Sequence, residues 1–445
     1  MKNYILILCL VLVSSCQYED YDDSKVINSP LATCIDGFAK IPGTDIEYSC
    51  LNYNLMGHVS LEEIDAEAGN DCWGWTDITT GREYAIMGVN NGTVFIEISD
   101  PLNPVYIGKL PTQTVSTIWR DIKVHKNYAY IVADFNPRIT TEEERKHGLQ
   151  VFDLTKLSNY NGSPVIFSPD FIYSDFGSAH NIAINENSNF LYVVGTDTFQ
   201  GGMHILDLAD PVAPVFLEGF SEQGYSHDAQ VVVYDGPDTN YSGKEIFFGS
   251  NEDKVVLIDV SNKSDIDTIS TVKYSNTQYT HQGWLTEDQK YFIVGDELDE
   301  YRGDVSFTRS IIFDVSDLDD PKVHYEFLNS TDAIDHNGYT HNNKFYLASY
   351  TAGLRVLDIL NIDQKIIEEI GFFDTYDESA DPGSYNSNQN FNKNTSSCFT
   401  DDCDNPEKGE VAEFNGAWSV YPFFKSENII ISDINSGLYI VKKQN

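Results

Sequence analysis

A histidine behind a small or aromatic residue at the head of a β-type segment returns four times in one register. It reads SAHNIA at residues 178–183, YSHDAQ at 225–230, YTHQGW at 279–284 and IDHNGY at 334–339. Three more segments begin alike with tryptophan in the histidine's place: WGWTDI around Trp75, TIWRDI around Trp119 and GAWSVY around Trp418. Each is followed by a polar turn, an apolar strand such as YAYIVAD, LYVVGTD or YFIVGDE, and a second strand usually opened by glycine and usually closed by an acid. GLQVFDL from Gly148 and GLRVLDI from Gly353 are examples of the last. Seven strand units of this period predict an all-β fold, a seven-bladed β-propeller. Scattered short strands and the lack of long 3.6-period stretches agree.

Residues 52–63, NYNLMGHVSLEE, look like the outer strand of a blade, comparable with PVYIGKLPT from Pro104 and PVFLEGFSE from Pro214. The seventh copy ends near Tyr439, Ile440 and Val441 with no outer strand of its own. The N-terminal strand is therefore expected to complete the last blade and close the ring, which removes an exposed edge. The expected organisation is a signal peptide over 1–15, an acidic tether over 16–33 and the propeller over 34–445. Within it, 34–70 holds a disulfide loop and the closing strand, and the Asn-, Asp- and Ser-rich stretch 374–410 is a long insertion loop.

MKNYILILCLVLVSSC has one early lysine and an apolar run too short to span a bilayer, which is the pattern of a signal peptide. The residues ending at Cys16 resemble a bacterial lipoprotein box, so Cys16 is expected to carry lipid and to make the membrane a partner. The alternative is an ordinary signal peptide with a chance cysteine. The following QYEDYDDS resembles the acidic export signal of surface lipoproteins, so the expected location is the outer membrane, facing outward. In such a compartment Cys34 with Cys50 and Cys398 with Cys403 are the natural disulfides, and Cys72 is left as a buried thiol just ahead of the first blade.

The formal net charge of −41 leaves nothing to neutralise phosphates, which excludes an unassisted nucleic-acid groove. No nucleophile elbow, phosphate-binding glycine loop or dinucleotide fingerprint is present.

The matching stretches include GWTDITTGREYAIMG from Gly74, WRDIKV from Trp119, AHNIAIN from Ala179, YTHQGWLTEDQKYFIVGDELDE from Tyr279 and GAWSVYPFF from Gly416. On these the chain resembles the choice-of-anchor B family, built from LVIVD repeats, from about Cys34 to the C-terminus. The resemblance implies an exported propeller with a lipoprotein anchor and leaves activity open.

In a propeller the starts of the innermost strands meet around one mouth. His180, His227, His281 and His336 would form an arc there, facing Trp75, Trp119 and Trp418. Gathered neutral imidazoles suit a zinc-like transition metal, with Asp228, Asp121 or Asp335 as extra ligands or as acceptors behind the histidines. Packing between blades and a metal-free pocket are the alternatives. Trp75, Trp119, Arg120, Asp121 and Trp418 would line a ligand site, the tryptophans serving either as packing or as a platform for a sugar or other flat ligand. The acidic run GDELDEYRGD around Asp296, Glu297, Asp299 and Glu300 is a candidate for calcium or acid–base chemistry, and calcium is the lesser metal expectation. His125, His147 and His341 read as exposed loop residues. The function expected is a scaffold that binds an extracellular protein or carbohydrate at its mouth without turnover. The alternative is a metal-dependent hydrolase or lyase.

Overall fold

A computed structural model describes residues 29–376 and 414–444. These form seven sheets arranged as the blades of a β-propeller. From the innermost strand outward, blade one runs through Gly69–Thr76, Glu83–Val89, Gly92–Glu97 and Val105–Pro111, and blade two starts at Trp119–His125. Blades three to six start at Asn181–Asn185, Asp228–Val233, Thr280–Leu285 and Gly338–His341, and blade seven at Ala417–Tyr421.

The ring closes through its N-terminus. Tyr53–Ser60 lies antiparallel on Gly437–Lys443 as the outer strand of blade seven. The preceding strand Glu47–Leu51 pairs with Glu368–Phe373 on the edge of blade six, and the Cys34–Cys50 disulfide ties this extension together. Cys398, Cys403, Cys16 and most of the 374–410 stretch lie outside the described residues.

Second strands are buried in their interiors, and along their whole length in Glu83–Val89 and Glu245–Ser250, because neighbouring blades cover both faces. Alternation then sends successive side chains to different neighbours: Phe247 packs toward blade three and Phe248 toward blade five, both fully buried. Outer strands such as Asp267–Val272 are mostly half-exposed.

The acid that closes third strands has a local cause. Asp153, Asp207, Asp259, Asp314 and Asp358 each accept the backbone N–H two residues on, at 2.7–3.0 Å, which turns the chain toward the outer strand. Glycine at the opposite end of the strand is equally forced at Gly353. Its φ of +68° and a carbonyl 2.3 Å from where a Cβ would sit exclude other residues.

Candidate metal and ligand site at the channel mouth

Side chains near the start of one innermost strand bond the backbone of the next blade, and these bonds fix the true register. Asp71 accepts from Ile122 N at 3.0 Å, and Asp121 accepts from Ile182 N at 2.9 Å. Ile122 and Ile182 are therefore equivalent, and so are Arg120 and His180, with Asn70 as the counterpart in blade one. The mouth carries, in ring order, His180, His227, His281, His336, Trp418, Asn70 and Arg120.

The four imidazoles are contiguous, with ring centroids 4.1, 4.3 and 4.3 Å apart, and Trp418 follows His336 at 4.7 Å. The expected tryptophan arc is not there. Trp119 stands one residue before the mouth position, which Arg120 fills, and Trp75 lies five residues beyond Asn70. Trp75 is buried against Tyr84 and Ile122 between blades one and two. WGWTDI imitates the repeat motif, but the strand that contains it begins at Gly69. Cys72 accordingly sits inside that strand rather than ahead of it, buried, and burial pushes its thiol up to about 12.

Asp121 and Asp228 do not reach the histidines. Lys123 Nζ lies 2.6 Å from Asp121 and 3.7 Å from Asp71, while Asn181 donates to Asp228 at 2.9 Å. These groups are buried and latch blades one to four together. Arg120 is also held structurally, donating to the carbonyls of Val89 and Asn90 and lying 3.2 Å from His147 Nε2. His147 and His125 are buried, not exposed loop residues, and burial beside Arg120 pushes His147 down to about 3.

The carboxylates that do meet the arc stand at the end of one second strand, Asp134, and one residue past the end of another, Glu297. Antiparallel pairing returns those ends to the heads of the first strands. Asp134 accepts from His180 Nδ1 at 2.9 Å. Glu297 lies between two rings: His281 Nε2 is 3.6 Å from Oε2 and His336 Nε2 is 3.6 Å from Oε1. Tyr350 donates its hydroxyl to Oε1 at 2.8 Å. His281, His336 and Glu297 are 2–4% exposed, and one ligand atom from each falls within 4.8 Å of the others.

Separations of 3.6 Å are too long for hydrogen bonds. They approach the roughly 3.4 Å between N and O ligands around a tetrahedral zinc with bonds near 2.1 Å. His336 Nδ1 is 2.5 Å from the Trp418 carbonyl and His227 Nδ1 is 2.9 Å from the His281 carbonyl. Those carbonyls place the ring proton on Nδ1 and leave Nε2 as a lone-pair donor. His281 Nδ1 has no partner among the described residues. Burial pushes His227, His281 and His336 well down, so they are neutral, and pushes Glu297 up to about 7.

Beside His180 a cavity of about 380 Å³ opens, lined by Trp119, Asp134, Arg138, Arg145, Asp197 and Tyr225. Asp134 belongs to both features, since it bonds His180 and faces the cavity.

The LVIVD-repeat family model matches residues 119–138 and 176–221, the two inner strands of blade two and the whole of blade three. No curated protein matches the chain in sequence. Among solved structures, Kuenenia stuttgartiensis hydrazine synthase aligns over 81% of this chain and 92% of its own, with TM-score 0.51 and 11% identity. A Lactobacillus plantarum protein aligns over 84% and 92% with TM-score 0.48 and 12% identity. A functionally unknown protein from Desulfotomaculum acetoxidans aligns over 65% and 82% with TM-score 0.44 and 12% identity. The first likeness supports the fold alone. The chain is a β-propeller, two segments of which match the LVIVD repeat.

Proposed function

We propose that this propeller is a ligand-binding scaffold whose mouth holds a divalent transition metal through His281, His336 and Glu297, with the cavity beside His180 taking a small polar ligand. The observation that carries the reading is the placement of two Nε2 atoms against the two oxygens of one buried carboxylate. Imidazoles that stay neutral need not lose a proton before binding an ion. The cavity falls in the range of ligand sites, and Trp119 and Tyr225 beside Arg145 and Asp197 suit a carbohydrate or another hydroxyl-rich ligand. Acylation at Cys16 would hold the ring at the outer membrane, where it would meet such ligands or an extracellular protein.

A hydrolytic reading draws support from the donor set. Two imidazoles and a carboxylate are three ligands, which leaves a fourth position for water.

Elemental analysis of the full-length chain tests the proposal, beside His281→Ala/His336→Ala and Glu297→Gln. About one equivalent of transition metal in the parent chain, lost in both variants, is expected. A parent chain that stays metal-free after incubation with zinc, and melts at an unchanged temperature, would overturn it.

A further inference from the structure

A second cluster contains no histidine and joins the blade-five insertion, which holds Asp299 and Glu300, to the head of blade six, where Asp335 precedes His336. Asp299, Glu300 and Asp335 are 0, 5 and 1% exposed, and one oxygen from each falls within 4.8 Å of the others. Neighbouring Asp296 shows how a buried carboxylate is normally satisfied: it accepts from Tyr274 Oη, Gln278 N and Tyr279 N at 2.7–2.8 Å. The trio is not satisfied in this way. Glu300 Oε1 accepts from Arg309 N at 2.7 Å, but Asp299 Oδ1, Glu300 Oε2 and both oxygens of Asp335 have no hydrogen-bond partner among the described residues.

Arg309, the cation beside the trio, is already committed. Its Nε and Nη2 both lie 2.7 Å from Asp299 Oδ2, Nη1 and Nη2 also reach the carbonyls of Ser275 and Asn276, and Nη1 lies 3.5 Å from Glu326 Oε2. Three buried carboxylates with one guanidinium leave uncompensated negative charge in a low-dielectric site, which must be met by protons or by a cation. The backbone also makes room for this arrangement. A Cβ at Gly295 would stand 1.7 Å from Asp335 Oδ2, so the glycine admits the carboxylate against the second strand of blade five.

We infer that Asp299, Glu300 and Asp335 form a binding site for a hard divalent cation, calcium in preference to magnesium. All-oxygen donors select hard ions. Two free oxygens on Asp335 suit bidentate coordination, and oxygens around a calcium ion at 2.3–2.6 Å lie up to about 5 Å apart, as the trio's do. Magnesium keeps several waters, for which a site this buried has little room.

The test is calcium titration of the EGTA-treated full-length chain by calorimetry and by thermal melting, alongside Asp335→Asn, Glu300→Gln and His281→Ala. One equivalent of calcium, a raised melting temperature, affinity at least tenfold weaker in both carboxylate variants and unchanged affinity in His281→Ala are expected. Terbium luminescence of the parent chain, quenched by added calcium, reads the site without any substitution. The inference is overturned if the parent chain binds neither ion up to about 5 mM, above the range of weak extracellular calcium modules. It is equally overturned if Asp335→Asn and Glu300→Gln bind as tightly as the parent.

Discussion

Two buried acidic clusters sit in one ring and are compensated differently. In the channel, Asp71 and Asp121 share Lys123, which also lies 4.9 Å over the Trp73 ring, and each accepts a backbone N–H of the next blade, so that of their oxygens only Asp71 Oδ1 lacks a partner among the described residues. Between blades five and six, Asp299, Glu300 and Asp335 share no such central cation: the Arg309 guanidinium is spent on one oxygen of Asp299, and only its backbone N–H reaches Glu300. The first cluster carries its own counter-charge and so reads as structure. The second leaves oxygens pointing at one another and so reads as a site.

The sharpest way to break this contrast is to remove charge from each cluster in turn. Lys123→Met strands two buried carboxylates and is expected to cost about 3–5 kcal/mol in urea unfolding. Asp335→Asn, measured in EGTA, is expected to leave stability unchanged or raise it, because it removes repulsion and breaks no hydrogen bond. A loss of similar size in both variants would put the two clusters in one class.

The same contrast explains what the sequence could and could not convey. The repeat, the closing N-terminal strand and the Cys34–Cys50 pair were legible because each depends on local residue order: turn-forming aspartates, glycines with left-handed backbone, and a short loop between cysteines. Trp75 and Trp119 were misplaced because register is set by cross-blade bonds such as Asp71 to Ile122, which no single segment displays. Asp134 and Glu297 went unassigned to the mouth although one ends and the other directly follows a second strand that stands out in the sequence. Antiparallel pairing brings strand ends back to strand heads, and acids closing YAYIVAD and YFIVGDE were the available signal. Nothing in the sequence separates Asp296, fully satisfied, from Asp335, which has no hydrogen-bond partner among the described residues.

A pH titration sharpens the channel side of the comparison. Burial pushes Asp228 up to about 6, with Lys123 pulling the other way. A carboxyl whose pKa rises on folding contributes stability that is fully present below its unfolded value near 3.8 and is lost as pH rises through about 6. The shift is worth about 3 kcal/mol at most, and Asp228→Asn should flatten the stability profile between about pH 4 and 6 by that order. An unchanged slope would place the pH dependence on other groups. His147, pushed down to about 3, has the opposite sign: its contribution is present above about 6.5 and lost as pH falls toward 3, so the acid limb should survive in the Asp228 variant.

The smallest expected effect uses Cys72, which follows Asp71 directly and whose thiol is buried and pushed up to about 12. A thiol of that kind reacts only when the surrounding structure opens, since the thiolate is the nucleophile. Cys72→Ala removes a small buried side chain and should cost about 1–2 kcal/mol. More informative is its labelling rate, followed by peptide mass mapping so that other cysteines do not interfere. If Lys123 holds the channel cluster shut, labelling of Cys72 in Lys123→Met should accelerate at least tenfold, while Asp335→Asn should leave it unchanged. Equal rates in all three proteins would mean that Cys72 is exposed only by global unfolding too rare to see. Acceleration in Asp335→Asn alone would mean that the blade-five cluster, and not the channel lysine, governs the opening of the ring.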